Sequence, residues 1–114
     1  MFTKYNTDGF IPLIPGIRMK VVGHGAHTVT TLFLLDAGVD LPRHDHAYEQ
    51  TGVLLEGKMT LIIGNETYEV SPGDTWSIPP DVPHEARTSA YCRAMEVFSP
   101  PREDYLKLAG ILKE

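Results

Sequence analysis

Short apolar and β-branched runs alternate with glycine and proline along most of the chain. Thr28 to Leu35, Val53 to Leu55, Met59 to Ile63 and Tyr68 to Val70 are such runs, each followed by a turn signal. The punctuation is dense, with Pro15-Gly16, Gly23, Gly25, Gly38, Gly52, Gly57, Gly64-Asn65, Pro72-Gly73 and Pro79-Pro80. Short strands separated by turns at this spacing predict an all-β sandwich or barrel. Glu56-Gly57 and Gly64-Asn65 read as tight hairpin turns, because glycine takes a positive φ without strain. The pattern changes only at the end. Ser99 is placed to cap a helix over 100–114, with Pro100 at its first position and Glu103 and Asp104 in its first turn. Tyr105, Leu108, Ala109 and Leu112 then share a face that would dock on the barrel. The expected organisation is one domain, with an N-terminal arm at 1–14, a barrel at 15–99 and the helix at 100–114.

The chain's 114 residues suffice for one hydrophobic core and are too few for two. A net charge of -5, with no basic patch, argues against nucleic acid or an anionic membrane as partner. No apolar run approaches the roughly 20 residues that cross a bilayer, and no charged-then-apolar leader opens the chain, so a cytoplasmic location is expected. Cys92, the single cysteine, cannot form an internal disulfide and reads as a small buried hydrophobe.

Candidate chemistry gathers at His44, His46 and Gln50, which share a two-residue beat with Tyr48; Glu49 breaks it. If His44 faces the barrel interior, so do the other three, provided the strand is not bulged. Two imidazoles two apart on a strand can converge on one ion, with His84 arriving from a neighbouring strand. Imidazole clusters are the usual donors to transition metals. The plainer alternative makes them ordinary polar residues at a strand edge. His24 and His27 sit in a glycine-rich turn and read as solvated. On the last strand, Cys92, Ala94, Glu96 and Phe98 share one face and Tyr91, Arg93, Met95 and Val97 the other. Periodicity alone does not say which is core. Trp76 and Ile78 read as core or dimer contacts.

The spacing from Gly38 through His44, His46, Gln50 and Gly57, and from Gly73 through Pro79, Asp81 and His84, resembles the paired motifs of the cupin superfamily. Gln50 stands where that family usually has Glu, and Asp81 where it usually has Gly. The second change is mild, because Asp tolerates left-handed turns. The resemblance implies a double-stranded β-helix (a jelly-roll barrel) holding one divalent transition metal ion per chain through His44, His46, Gln50 and His84. Nickel, zinc, iron, manganese and copper are not distinguished. Four neutral ligands would leave the ion its full charge, weakening its hold and sharpening its Lewis acidity.

The run from Glu96 to Leu106, with His44 to Gln50 and Pro79 to His84, further resembles the KdgF pectin-degradation proteins, small cupins that linearise unsaturated uronates. That resemblance implies metal-assisted isomerisation or ring opening of a sugar acid, with Glu96 and Arg102 as catalytic residues and Phe98 and Tyr48 against the substrate. Glu96 replaces the family's Asp and is one methylene longer. Arg102 would grip a substrate carboxylate in bidentate fashion. A metal-dependent dioxygenase and a non-catalytic sugar- or metabolite-binding module are the rival readings. Small cupins often pair, and the apolar arm (Phe2, Phe10, Ile11, Leu13, Ile14) has no evident place in the barrel, so a homodimer is expected.

Overall fold

The computed structural model describes residues 1–113. Ten strands run in order: β1 (Ile11–Ile14), β2 (Ile17–His24), β3 (Val29–Leu35), β4 (Asp40–His44), β5 (Glu49–Glu56), β6 (Met59–Ile63), β7 (Glu66–Val70), β8 (Thr75–Ile78), β9 (His84–Thr88) and β10 (Cys92–Ser99). One short helix, α1 (Glu103–Leu108), follows. The strands form two antiparallel sheets, ordered β1-β2-β3-β10-β5-β8 and β4-β9-β6-β7. This is the all-β double-stranded β-helix with a C-terminal helix. The core between the sheets includes Ile17, Leu35, Leu54, Leu61 and Ile78, and a second cluster of Val29, Phe98 and Leu106 seats the helix.

Cross-strand register sets what faces the interior. Thr31, Glu96, Gly52 and Trp76 lie opposite one another across β3, β10, β5 and β8, and the next inward row is Val29, Phe98, Gln50 and Ile78. The face carrying Cys92, Ala94, Glu96 and Phe98 is therefore the inner one. Gly52 has a packing reason: a Cβ there would stand 2.4 Å from Trp76 Cε2, so only glycine lets the indole lie across β5.

Four boundaries differ from expectation. Residues 11–14 are not a free arm but β1, folded back onto β2 by the Pro15-Gly16 turn, with Gly16 at φ 86. Glu56-Gly57 is not a hairpin, since β5 and β6 belong to different sheets, whereas Gly64-Asn65 does close the two-residue β6–β7 hairpin. Ser99 does not cap the helix. It ends β10 and its hydroxyl donates to the His27 carbonyl, while extended Arg102 takes the N-cap position without a side-chain cap bond. The helix also stops early. Gly110 (φ 74) donates to Lys107 O and Ile111 to Leu106 O, the bond pair of a Schellman termination. In consequence Leu106 is the buried anchor, and Leu108 and Leu112 stay exposed.

Candidate metal centre

His44 and His84 are cross-strand partners on β4 and β9. The β4–β9 register slips between Leu41 and His44, beside Pro42, which has no N–H for the ladder. The slip lets Leu41 and His44, three apart, both line the interior cavity. His46 follows in the break between β4 and β5, where the Asp81 N–H donates to its carbonyl at 2.8 Å. Asp81 itself has φ 66, the left-handed conformation expected at that glycine-like position. The strand break ends the period-two beat. Tyr48 consequently does not line the cavity; its ring lies 5.8 Å from that of His46 and stacks on Arg102 instead. Gln50, on β5, is buried and lines the cavity.

One ring nitrogen from each of His44, His46 and His84 lies within 4.8 Å of the others. Each Nδ1 faces a backbone carbonyl: Pro42 O at 2.8 Å, Tyr48 O at 3.0 Å and Val82 O at 2.8 Å respectively. A carbonyl only accepts, so each Nδ1 must carry the proton, leaving the Nε2 lone pairs for something else. Nε2 of His84 is buried with no partner among the described residues. Burial chiefly holds that imidazole below its ordinary pKa; the bond to Val82 opposes this and the neighbouring histidines reinforce it. Nε2 of His46 lies 2.7 Å from Gln50 Oε1, and with the Gln50 amide nitrogen turned to Glu96 this pair of acceptors is one that a cation can bridge. Three neutral imidazoles aimed at one point, one of them otherwise orphaned, fit a divalent transition metal.

Gln50 also links this cluster to Glu96. Its Nε2 donates to Glu96 Oε1 at 2.9 Å, and Trp76 Nε1 donates to the same oxygen at 2.8 Å. Burial pushes the Glu96 carboxyl above its usual range, against the pull of the Trp76 and Gln50 bonds and of Arg102. Oε2 takes no protein hydrogen bond among the described residues. Phe98 is buried beside His46, ring centroids 5.9 Å apart, and lines the cavity.

Arg102 reaches the cavity but is engaged. Its Nε and Nη2 hold Asp104 at 3.1 and 2.7 Å, and its Cζ lies 3.8 Å from the Tyr105 ring centre. The two-pronged grip expected for a substrate is therefore made to Asp104. Trp76 carries the role that sequence reasoning misses: it is core, as expected, and its N–H also donates to Glu96. Its only signal is Gly52 in mid-strand, which becomes meaningful once the register is known. His24 and His27 are exposed, and Cys92 is buried away from the cluster, as expected.

A model of the Cupin domain family matches residues 31–98. The chain is a cupin. It is similar to KdgF from a Halomonas species, at 27% identity and a TM-score of 0.80 over 83% of this chain and 88% of that one. An RmlC-like cupin from Shewanella frigidimarina superposes with a TM-score of 0.84 at 21% identity over 90% and 93% of the two chains, a likeness of fold. The HTH-type transcriptional regulator PuuR of Escherichia coli is 29% identical over 102 residues, which are 83% of this chain and 55% of the regulator. This cupin thus spans about half of that relative's length.

Proposed function

We propose that this cupin is a metal-dependent enzyme that moves a proton on a small carbonyl or enol substrate, by isomerisation or ring opening. The observation that carries the reading is the buried Nε2 of His84, without a partner among the described residues, beside His44 and His46 and one amide away from the half-buried carboxyl of Glu96. His44, His46, His84 and Gln50 would hold the ion, which when bound supplies Lewis acidity toward a substrate oxygen. Glu96 is the proton carrier. Trp76 and Gln50 fix one oxygen, and the other is left to give or take a proton at the substrate. Its raised pKa brings the protonated form closer to neutral pH, which suits alternate donation and acceptance. Arg102, braced by Asp104 and Tyr105, has Nη1 remaining for a substrate carboxylate.

The sequence resemblance makes unsaturated uronates the first substrates to try. Metal-loaded protein incubated with a panel of them should remove their conjugated ultraviolet absorbance. Glu96→Gln should slow this by about 10²- to 10⁴-fold with metal content unchanged, and His46→Ala should lose the metal. Equal metal in His46→Ala and the parent would sink the metal assignment; full activity in Glu96→Gln would sink the mechanism. The likeness to PuuR favours a second reading, a ligand-binding module without turnover. Under it Glu96→Gln leaves ligand affinity intact and no substrate is consumed.

A further inference from the structure

The cavity that reaches the three histidines, about 460 Å³ in volume, is walled mainly by hydrocarbon. Strands β1, β2, β3 and β6 contribute Leu13, Ile17, Phe33, Leu35, Met59 and Leu61 to it. Its polar groups come instead from β4, β5, β8, β9, β10 and the segment around α1. Among the described residues, no serine, threonine, asparagine or lysine lines it. The charged groups that do are partly engaged, Arg102 with Asp104, Glu85 with Arg43, and Glu96 through one oxygen with Trp76 and Gln50, so the free polar atoms (Arg102 Nη1, Glu96 Oε2 and the Tyr105 hydroxyl) gather at the histidine end and none lies along the β1–β3 wall. A hydroxyl that leaves water without finding a partner carries a desolvation penalty, so a polyhydroxylated ligand would set several oxygens against hydrocarbon.

We propose that the cavity takes an amphipathic carbonyl or enol compound, its oxygen-bearing head at the histidine cluster and Glu96 and its apolar body along the β1–β3 wall, in preference to a free sugar acid. A volume of 460 Å³ equals the liquid share of about 15 waters, which accommodates such a head with a body of about ten carbons. The placement of the head rests on the metal-centre reading above. The preference for an apolar body rests on the wall alone.

The test is calorimetry on the zinc-loaded protein with acetylacetone, benzoylacetone and D-glucuronate. Benzoylacetone should bind about 10- to 100-fold more tightly than acetylacetone, the gain from burying one aromatic ring, and glucuronate more weakly than either. Leu13→Gln and Phe33→Gln, on two partly buried positions of the β1–β3 wall, should each cut that gain by at least about threefold while acetylacetone affinity stays put. Zinc content and melting midpoint report that the variants fold. A phenyl gain below about threefold, or glucuronate matching benzoylacetone, overturns the proposal. Should the protein take up none of zinc, nickel, iron, manganese and copper, the metal-centre reading falls. The same diketone pair, followed on metal-free protein through the emission of Trp76, then decides the wall preference by the same criterion.

Discussion

Gly52→Ala is the smallest perturbation that reaches the candidate site through packing alone. The added methyl would meet Trp76 Cε2 at 2.4 Å and Cζ2 and Nε1 at 2.5 Å. Carbon atoms rest at about 3.5–4.0 Å, so the indole must retreat by about 1 Å or more. Its N–H now sits 2.8 Å from Glu96 Oε1, and that retreat takes it out of hydrogen-bond range. Overpacking costs about 1–3 kcal/mol, and losing a bond to a carboxylate about 1.5–3 kcal/mol. The two overlap, because moving the ring relieves the clash at the expense of the bond, and a total of about 2–4 kcal/mol follows. For a domain of this size that lowers the melting midpoint by roughly 8–15 °C. Trp76 is the sole tryptophan, so its emission reports the displacement directly. In a Trp76→Phe background the smaller ring should leave room and the penalty of Gly52→Ala should shrink by half or more. A Gly52→Ala protein that melts within about 2 °C of the parent with unchanged emission would refute the argument that Gly52 exists to admit the indole.

Three further outcomes follow from the same structure. Gln50→Glu would set a second carboxyl where an amide now donates to Glu96 at 2.9 Å, a like-charge clash that sharing one proton relieves only in part; adding Glu96→Gln should recover most of the lost stability, and additive losses in a thermal double-mutant cycle would show that the two side chains do not meet. Tyr105, pushed up to about 12 by burial, keeps its proton longer when folded, so its stabilising contribution is complete below the unfolded value near 10 and is lost as pH rises through about 12; Tyr105→Phe should flatten that loss, and phenolate absorbance rising in one step near 10 for all five tyrosines would contradict it. The homodimer proposed from the apolar N-terminus should scatter light as twice the 12.7 kDa chain and weaken when residues 1–10, with exposed Met1, Phe2 and Tyr5, are removed; a monomer at micromolar concentration refutes it.

The strands were legible because their signal is local. Met59 to Ile63 coincides with β6, and Thr28 to Leu35 differs from β3 by one residue. Turn chemistry was local too, at Gly64-Asn65 and at Asp81. What failed depended on which strands pair. Whether Glu56-Gly57 turns a hairpin or carries the chain between sheets depends on whether β5 and β6 pair, which composition does not encode. Ser99 was a sound cap by residue type, but β10 extends through it and its hydroxyl goes to His27 O across 72 positions. The face of β10 was ambiguous because Arg93 shares its side with Met95 and Val97, and only its neighbours β3 and β5 settle which side is inward.

The candidate site divides along the same line. The three histidines are short-range features, each with its Nδ1 on a carbonyl two residues away, so their spacing in the chain carries their orientation with it. Gln50 and Glu96 are different, 46 positions apart and intelligible only together. An amide at 50 can offer its oxygen to a cation shared with His46 and its nitrogen to a carboxylate at once, whereas a carboxylate at 50 has no donor for Glu96. The neutral residue is thus what allows a carboxyl group to stand one hydrogen bond behind the histidine cluster. The extra methylene of Glu96 fits the same logic, because its oxygen lies within bonding range of both Gln50 and Trp76, which belong to the two strands beyond β10. Negative charge is then displaced from the ligand set to the group behind it, where it can carry a proton. That displacement, and not the histidine cluster that other cupins can share, is where the chemistry of this chain should depart from a Glu-ligated site.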